Sequence, residues 1–139
     1  MTRPAPLAPV SWGELLDKIT ILEIKADRIT DPAARANVAR ELALLRKIAA
    51  PVLPQPGLAP LMDGLRRVNR ALWEIEDAIR VHEAAARFDA GFIALARAVY
   101  QTNDERAALK RQVNALLRSD LVEEKYHAAS PAADADRAR

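Results

Sequence analysis

The chain has 139 residues, of which 50% are hydrophobic and 29% charged, enough to bury a continuous core in one domain. Its 21 basic and 19 acidic residues leave a net charge of +2. The two signs are interspersed, and no basic stripe with interleaved aromatic residues favours nucleic acid as a partner. Cysteine is absent, which excludes disulfide bonds, a thiolate nucleophile and zinc sites with sulfur ligands.

The pattern of apolar residues bears on location and domain limits. No apolar run approaches the roughly 20 residues of a membrane-spanning helix, and the proline-rich start from Thr2 to Val10 lacks the apolar region of a secretion signal. The sequence therefore predicts a cytoplasmic protein without a membrane span. We expect one helical domain over residues 10–127, between flexible termini at 1–9 and 128–139.

The first two predicted helices are marked by caps. Ser11-Trp12-Gly13-Glu14 is a capping box, in which the Ser11 hydroxyl accepts from the Glu14 backbone N–H and the Glu14 carboxylate reaches back to the Ser11 N–H. Thr30-Asp31-Pro32 ends this helix and starts the next, because aspartate caps well and proline is tolerated at the first helical position. The inward positions repeat at helical spacing: Leu15, Ile19, Leu22, Ala26 and Ile29, then Val38, Leu42, Leu45 and Ile48.

A second helix pair follows a proline-rich stretch. Four prolines and a glycine between Pro51 and Pro60 predict a stiff, extended connector. The third helix is expected from about Leu61 to Ala86 and the fourth from about Ala90 to Leu117, with Asp89 as the cap between them. Their inward stripes are Leu65, Val68, Leu72, Ile75 and Ile79, then Phe92, Leu95, Val99, Leu109, Val113 and Leu116.

The end of the chain is expected to be irregular. Ser119 to His127 reads as a short helical or irregular segment that folds back on the bundle, and Ala128 to Arg139 as a frayed polar tail. No part of the chain shows the alternating pattern of a strand. The predicted fold is therefore all-α, an antiparallel bundle of about four helices.

The fourth helix carries a polar break in its apolar stripe. Arg106 shares a face with Val99, Leu109 and Val113, at a position where the stripe would otherwise place leucine. Burying a guanidinium without a partner costs several kcal/mol. We therefore expect a carboxylate from another helix beside Arg106. Two interpretations stay open, a salt-bridge network that sets the helix register and a site for a phosphate or carboxylate anion.

Residues that could surround Arg106 form the candidate site. Amide and basic side chains lie beside it on the fourth helix, acids lie on the first and third helices, and one indole lies near the acids. The candidate ligand-binding residues are Glu23, Asp27, Trp73, Glu76, Asn103, Arg106 and Lys110. The alternative is a solvated charged face for the acids and packing for the indole.

A metal site has weaker support in the pattern. Glu74 and Asp77, at i and i+3 on the third helix, could bind one Mg²⁺, because hard cations prefer several oxygen ligands. Charged helix faces produce this spacing often. His82 and His127 are far apart and do not predict a zinc site. No glycine-rich phosphate loop or nucleophile elbow is present, so nucleophilic catalysis is not expected. No cofactor is predicted unless magnesium is bound.

Four stretches carry a family resemblance. They are VSWGELLDKITILEIK (10–25), LWEIEDAIR (72–80), TNDERAALK (102–110) and LVEEK (121–125). Together they resemble an uncharacterised bacterial family, domain of unknown function 6165, from Val10 to about Tyr126. The resemblance implies no established activity. It does imply an association, through gene neighbourhoods, with the synthesis of cell-surface polysaccharides.

A second likeness is to the all-helical nucleoside triphosphate pyrophosphohydrolases. In that resemblance the magnesium ligands and the phosphate-binding residues come from different helices. The acids would be Glu23, Asp27, Glu74 and Asp77, and the phosphate-binding residues Asn103, Arg106 and Lys110. The first acid pair departs from the pattern of those enzymes, since it is Glu-x-x-x-Asp where they have Glu-x-x-Glu.

These observations lead to two functional hypotheses. The first is a binding protein, either an accessory module for a partner protein or a receptor for a small anionic ligand near Glu23, Glu76, Asn103 and Arg106. The second is a magnesium-dependent phosphoanhydride hydrolase, which needs at least three converging carboxylates. A homodimer is expected if four apolar side chains form one exposed patch. These are Leu16, Ile21, Ile24 and Val81.

Overall fold

The fold is a bundle of four α-helices, as predicted. The computed structural model describes residues 1–126 and contains no strand in that range. The helices are α1 (Trp12–Arg28), α2 (Pro32–Ala49), α3 (Leu58–Ala84) and α4 (Ala90–Leu116). Among these helices, α1 packs against each of the other three, α3 packs along α4, and α2 packs on α1. No helix within this range is long and apolar enough to cross a bilayer.

Three of the helices begin at the caps that the sequence predicted. The Ser11 hydroxyl accepts from the Glu14 N–H at 3.0 Å, Asp31 accepts from Ala34 at 2.9 Å, and Asp89 accepts from Phe92 at 3.0 Å. These bonds satisfy backbone donors that the first turn of a helix leaves without a partner. Only the first half of the predicted capping box forms. The second half does not form, because the Glu14 carboxylate accepts from Lys110 on α4 instead of from the Ser11 N–H.

Along α1, which packs against the other three helices, the predicted inward residues lie in the core or pack against it. Because α1 has three neighbours, its buried surface is wider than one stripe and also takes in Leu16 and Ile24, which are 0% and 3% exposed. The exposed patch considered for dimerisation therefore does not form. On α2 the prediction for Ile48 is wrong, since it is exposed and the neighbouring Ala49 is buried instead. A helix that packs on one neighbour buries only a narrow face.

The expectation of an extended proline-rich connector is wrong. Residues 50–57 form consecutive turns, in which the N–H groups of Val52, Gln55 and Leu58 bond to carbonyls three residues earlier at 2.9 to 3.1 Å. α3 then begins at Leu58 and takes Pro60 into its first turn. Proline is tolerated there because the first turn needs no N–H donor from it. Gly57 allows the junction by adopting φ +89°.

The two long helices are buried along only part of their length. The buried residues of α3 end at Asn69, and those of α4 are Val113 and Asn114. Toward the α3–α4 turn, the predicted inward residues are only partly buried: Leu72, Ile75, Ile79, Phe92, Leu95 and Val99. One part of the hairpin thus packs against α1, and the part toward the α3–α4 turn is a two-helix extension that is only partly buried.

The segment from residue 119 to 126 is irregular and folds back over the start of α1, as predicted for Ser119 onward. Ser119 Oγ accepts from the Trp12 N–H at 3.2 Å. The Glu123 carboxylate accepts from Ser11 and, at 2.9 Å, from the Asn114 amide. His127 and the predicted tail at 128–139 lie outside the described residues. The C-terminal segment therefore connects the caps of α1 to α4.

Glu123→Gln tests this connection through pH. Partial burial raises the pKa of the Glu123 carboxyl, but the hydrogen bonds from Ser11, from the Glu123 backbone and from Asn114, together with the charge of Lys110, outweigh it and hold the pKa below its ordinary value of 4.5. The carboxylate therefore stabilises the fold above about pH 4.5, and this contribution is lost as the pH falls through the lower folded-state pKa. We expect the variant to be less stable at pH 7 by less than about 1 kcal/mol, because the site is screened by solvent.

Calorimetry at pH 7 and below pH 4 measures this difference. The gap between wild type and Glu123→Gln should close at the lower pH. Glu124→Gln is the matched control, since its carboxylate belongs to the same exposed segment, and it should lower the stability at pH 7 less than Glu123→Gln does. An equal gap at both pH values would contradict a role for the charge of Glu123.

Gly13 is required where the backbones of α1 and α4 meet. Its N–H donates to Asn114 Oδ1 at 2.7 Å, and a Cβ at this position would lie 2.6 Å from the Lys110 carbonyl oxygen. A backbone atom cannot move aside without shifting a helix. We expect Gly13→Ala to lower the free energy of unfolding by about 1–3 kcal/mol, the usual cost of overpacking, measured by urea denaturation.

Gly64→Ala is the control for this substitution. A Cβ at Gly64 would approach only the movable end of the Leu109 side chain, at 3.0 Å. Alanine also favours a helix over glycine by up to about 1 kcal/mol. If Gly13→Ala lowered the free energy of unfolding no more than Gly64→Ala does, this would contradict the close approach of α1 and α4 at Gly13.

Candidate functional site

The centre of the polar cluster is an ion pair between α4 and α1. Arg106 donates from Nε to Asp17 Oδ1 at 2.9 Å and from Nη2 to Asp17 Oδ2 at 2.5 Å. The Asp17 side chain is 1% exposed and that of Arg106 28%. The hydrogen bonds that Arg106 donates to Asp17, and then the charge of that carboxylate, raise the pKa of Arg106 against the opposing effect of burial. The guanidinium is therefore charged and held in one orientation.

A second set of bonds holds the aspartate itself. Asn69 on α3 donates from Nδ2 to Asp17 Oδ1 at 2.8 Å and lies 2.9 Å from Thr20 Oγ1. The Thr20 hydroxyl in turn donates to the Asp17 carbonyl at 2.7 Å. Within residues 1–126, no buried side-chain nitrogen or oxygen lacks a partner. Three helices thus meet in one fully bonded cluster, which is what a buried carboxylate requires.

Sequence reasoning anticipated a carboxylate at Arg106 but not which one. Asp17, Thr20 and Asn69 are absent from the predicted site. A signal was present on α1, because Gly13, Asp17, Thr20 and Ile24 form a second row at helical spacing beside the apolar stripe. All four are buried. The small and short polar residues of this row lie where α1 meets α3 and α4.

Arg106 has donors left over after this pairing. A guanidinium carries five N–H groups, and the two bonds to Asp17 use only two of them. The nearest further acceptor is Asn103 Oδ1, 3.5 Å from Nη1, which is a weak contact. Arg106 and Asn103 line two neighbouring pockets.

The first pocket is basic, and we call it the basic pocket. It has a volume of about 400 Å³, and its lining contains three cationic side chains and no carboxylate. It is lined by Val99, Tyr100, Asn103, Arg106, Ala107, Lys110 and Lys125. Lys110 bonds to Glu14 at 2.5 Å and Lys125 to Asp104 at 2.8 Å. The Asp104 side chain is 61% exposed, so the Lys125 pair is weak and screened by solvent, whereas the Lys110 pair is partly buried, with Lys110 18% and Glu14 44% exposed.

The second pocket, which we call the Trp73 pocket, is of mixed charge. It has a volume of about 380 Å³ and shares Asn103 and Arg106 with the basic pocket. It is lined by Ile21, Asn69, Leu72, Trp73, Glu76, Asp77, Arg80, Asn103 and Arg106. Within residues 1–126, the Glu76 carboxylate and the Arg80 guanidinium have no hydrogen-bond or ion-pair partner. Their charges are therefore available to a ligand.

The structure brings together five of the seven predicted ligand-binding residues and separates two. Asn103 and Arg106 line both pockets, Lys110 the basic pocket, and Trp73 and Glu76 the Trp73 pocket. Glu23 lies elsewhere, because it pairs with Arg66 at 2.9 Å on the face of α1 toward α2 and the start of α3. Asp27 is exposed and lines neither pocket.

The acids proposed for a metal do not converge. Glu74 is paired with Arg28, whereas Asp77 lines the Trp73 pocket. Within the described part of the chain, no three histidine, cysteine, aspartate or glutamate residues come close enough to hold a metal ion. α1 presents Asp17 to Arg106, and its Glu23 pairs with Arg66, so Glu23 does not join Glu74 and Asp77. The geometry therefore gives the hydrolase hypothesis no three-carboxylate site.

The sequence comparison relates these residues to a family. The model of a family of unknown function (DUF6165) matches residues 8–136, which includes all four helices and the C-terminal segment. The chain belongs to this family. No curated protein and no solved structure matches the chain. The resemblance that the sequence motifs carried is thereby confirmed, and the cluster described above is that of a member of this family.

Arg106→Leu tests whether the ion pair is needed for the fold. The substitution leaves the Asp17 carboxylate buried without its cation, so we expect it to lower the free energy of unfolding by about 3–5 kcal/mol. The double variant Asp17→Asn/Arg106→Leu removes the orphaned charge but keeps an acceptor for Asn69. It should be more stable than Arg106→Leu alone.

Urea denaturation of both variants measures this difference. Arg67→Leu is the control, since Arg67 forms an exposed pair with Glu105 at 3.5 Å and such pairs contribute about 1 kcal/mol or less. A double variant no more stable than the single one would argue against an orphaned charge as the cause.

Proposed function

We propose that this protein binds a small anionic ligand whose phosphate or carboxylate group contacts Arg106 and Asn103 in the basic pocket. The observation that carries the proposal is the hydrogen bonding of Arg106. Its guanidinium is oriented by a buried carboxylate, yet donors remain beside a pocket lined by no acid. Planar donors of this kind suit phosphate and carboxylate oxygens.

Preorganisation favours this use of the cluster. An arginine on a flexible surface loses side-chain entropy when it binds an anion, whereas Arg106 is already fixed by its two bonds to Asp17. The contact with Asn103 is 3.5 Å long, so a ligand oxygen can replace it at small cost. The Asn103 amide would then donate to the same ligand.

The charge around the pocket supports an anion as well. Arg106 is compensated by Asp17, so Lys110 and Lys125 supply the net attraction. Each is paired with an acid that is itself 44% or 61% exposed. The Lys125–Asp104 pair is exposed and contributes little, so Lys125 can exchange its acid for a ligand, while the Lys110 ammonium group has donors beyond its bond to Glu14. The pocket of about 400 Å³ falls in the range of small-molecule sites.

Binding is supported better than hydrolysis. The hydrolase hypothesis needs three carboxylates at one place, and residues 1–126 contain no such group. The anion hypothesis needs oriented donors with spare capacity beside an open pocket. Arg106, Asn103 and Lys110 supply these.

Titration calorimetry with inorganic phosphate and with citrate tests the proposal. We expect saturable binding by the wild type. Lys110→Met keeps the apolar stem but removes the ammonium group, so it should weaken binding about tenfold, the effect of one charge-assisted contact. Lys47→Met on the exposed face of α2 is the matched control and should leave the affinity unchanged.

No saturable binding of either anion at millimolar concentration would contradict the proposal. Equal weakening by Lys110→Met and Lys47→Met would indicate attraction to overall charge and not to this pocket. Circular dichroism of both variants would show that the bundle is intact.

A further inference from the structure

We infer that the ligand is a polyhydroxylated ring carrying the anionic group, such as a sugar phosphate or sugar acid, and that its ring occupies the Trp73 pocket. This inference rests on the proposed anion site, because Arg106 and Asn103 line both pockets. An anion held by these two residues has the Trp73 pocket directly beside it. What the second pocket recognises then decides the ligand class.

The charges of the Trp73 pocket select neutral polar groups. Its lining contains two carboxylates, Glu76 and Asp77, and two guanidinium groups, Arg80 and Arg106. A second anionic group would face the carboxylates, and an ammonium group would face the guanidinium groups. A hydroxyl group both donates and accepts, so it can bond to a carboxylate and a guanidinium at once. Several hydroxyl groups on one ring match this alternation.

The free capacity of these groups supports the same conclusion. Within residues 1–126, Glu76 and Arg80 have no hydrogen-bond or ion-pair partner. They lie one turn apart on α3, and Glu76 lies one turn from Trp73, so all three side chains belong to one helix face. A ligand on this face meets an acceptor and a donor on successive turns. Because each hydroxyl group both donates and accepts, the hydroxyl groups of one ring can bond to both.

An apolar surface completes the pocket. Trp73 is partly exposed, and Leu72 and Ile21 lie in the same lining. An indole beside charged groups offers a flat face on which the C–H side of a sugar ring can pack while its hydroxyls reach the polar groups at the edge. The pocket therefore combines a stacking surface with directed polar groups, as small-molecule sites do.

Calorimetry with a panel of phosphates and one sugar carboxylate tests the inference on the full chain. The probes are inorganic phosphate, the 1-phosphates of glucose, galactose and mannose, glucuronate, phosphoethanolamine and phenyl phosphate. We expect at least one sugar phosphate or glucuronate to bind about tenfold or more tightly than inorganic phosphate. Phosphoethanolamine presents an ammonium group and phenyl phosphate an apolar ring, and neither should gain this advantage.

Two variants assign the advantage to the pocket. Trp73→Leu removes the stacking face and Glu76→Gln the charged acceptor, so each should reduce the ratio of sugar phosphate to phosphate affinity toward one. Glu83→Gln, on the same helix but outside the pocket, is the matched control and should keep the ratio. Circular dichroism checks that each variant is folded.

The outcomes separate the two proposals. If inorganic phosphate binds but no hydroxylated ligand binds more tightly, the anion site stands and this inference is overturned. It is also overturned if phosphoethanolamine or phenyl phosphate binds best, or if the advantage survives both pocket variants. If none of the probes binds, the proposed function fails and this inference fails with it.

Discussion

The burial of one carboxylate organises this bundle. Asp17 is almost wholly removed from solvent, a position that a charged group can occupy only with partners on every side. Those partners come from α4 through Arg106 and from α3 through Asn69. A sliding movement of any of the three helices would break these bonds. The cluster therefore sets the register of α1, α3 and α4 in a way that apolar packing, which is less directional, does not.

The unequal lengths of the helices explain where the polar grooves lie. α1 has 17 residues, and α3 and α4 have 27 each. α1 covers the long hairpin only at the end away from the α3–α4 turn, so the buried residues of α3 stop at Asn69. At this boundary the inward side chains of α3 change from buried to partly exposed. Arg106 lies there, with one side bonded to the core and the other facing the pockets.

This arrangement is compatible with one residue serving both the stability of the fold and the proposed recognition of an anion. The Nε and Nη2 groups of Arg106 donate to Asp17 and so stabilise the fold. The same bonds orient the guanidinium beside Asn103, where both residues line the two pockets. The two interpretations of Arg106 that the sequence left open, a register-setting network and an anion site, are therefore compatible. The structural pair orients the donors on which the proposed ligand site depends.

The helices and their limits could be read from the sequence because caps and apolar periodicity are local. Ser11, Asp31 and Asp89 each cap the helix that they were expected to cap. The need for a carboxylate at Arg106 was also local, since it follows from the stripe in which this residue lies. The connector after Pro51 was misjudged, because a proline-rich stretch is compatible both with an extended chain and with successive turns.

The partner of Arg106, in contrast, was decided by the packing of the helices. Glu23, Asp27, Glu74 and Glu76 were all candidates by charge and spacing, and the rotation of α1 about its own axis selected Asp17 instead. That rotation depends on close contacts such as Gly13 against α4, between residues about a hundred positions apart in the chain. The amino-acid pattern alone determined that a buried cation needs an acid. Only the tertiary structure decided which acid meets it and which pockets open beside it, because helix rotation depends on contacts from three elements at once.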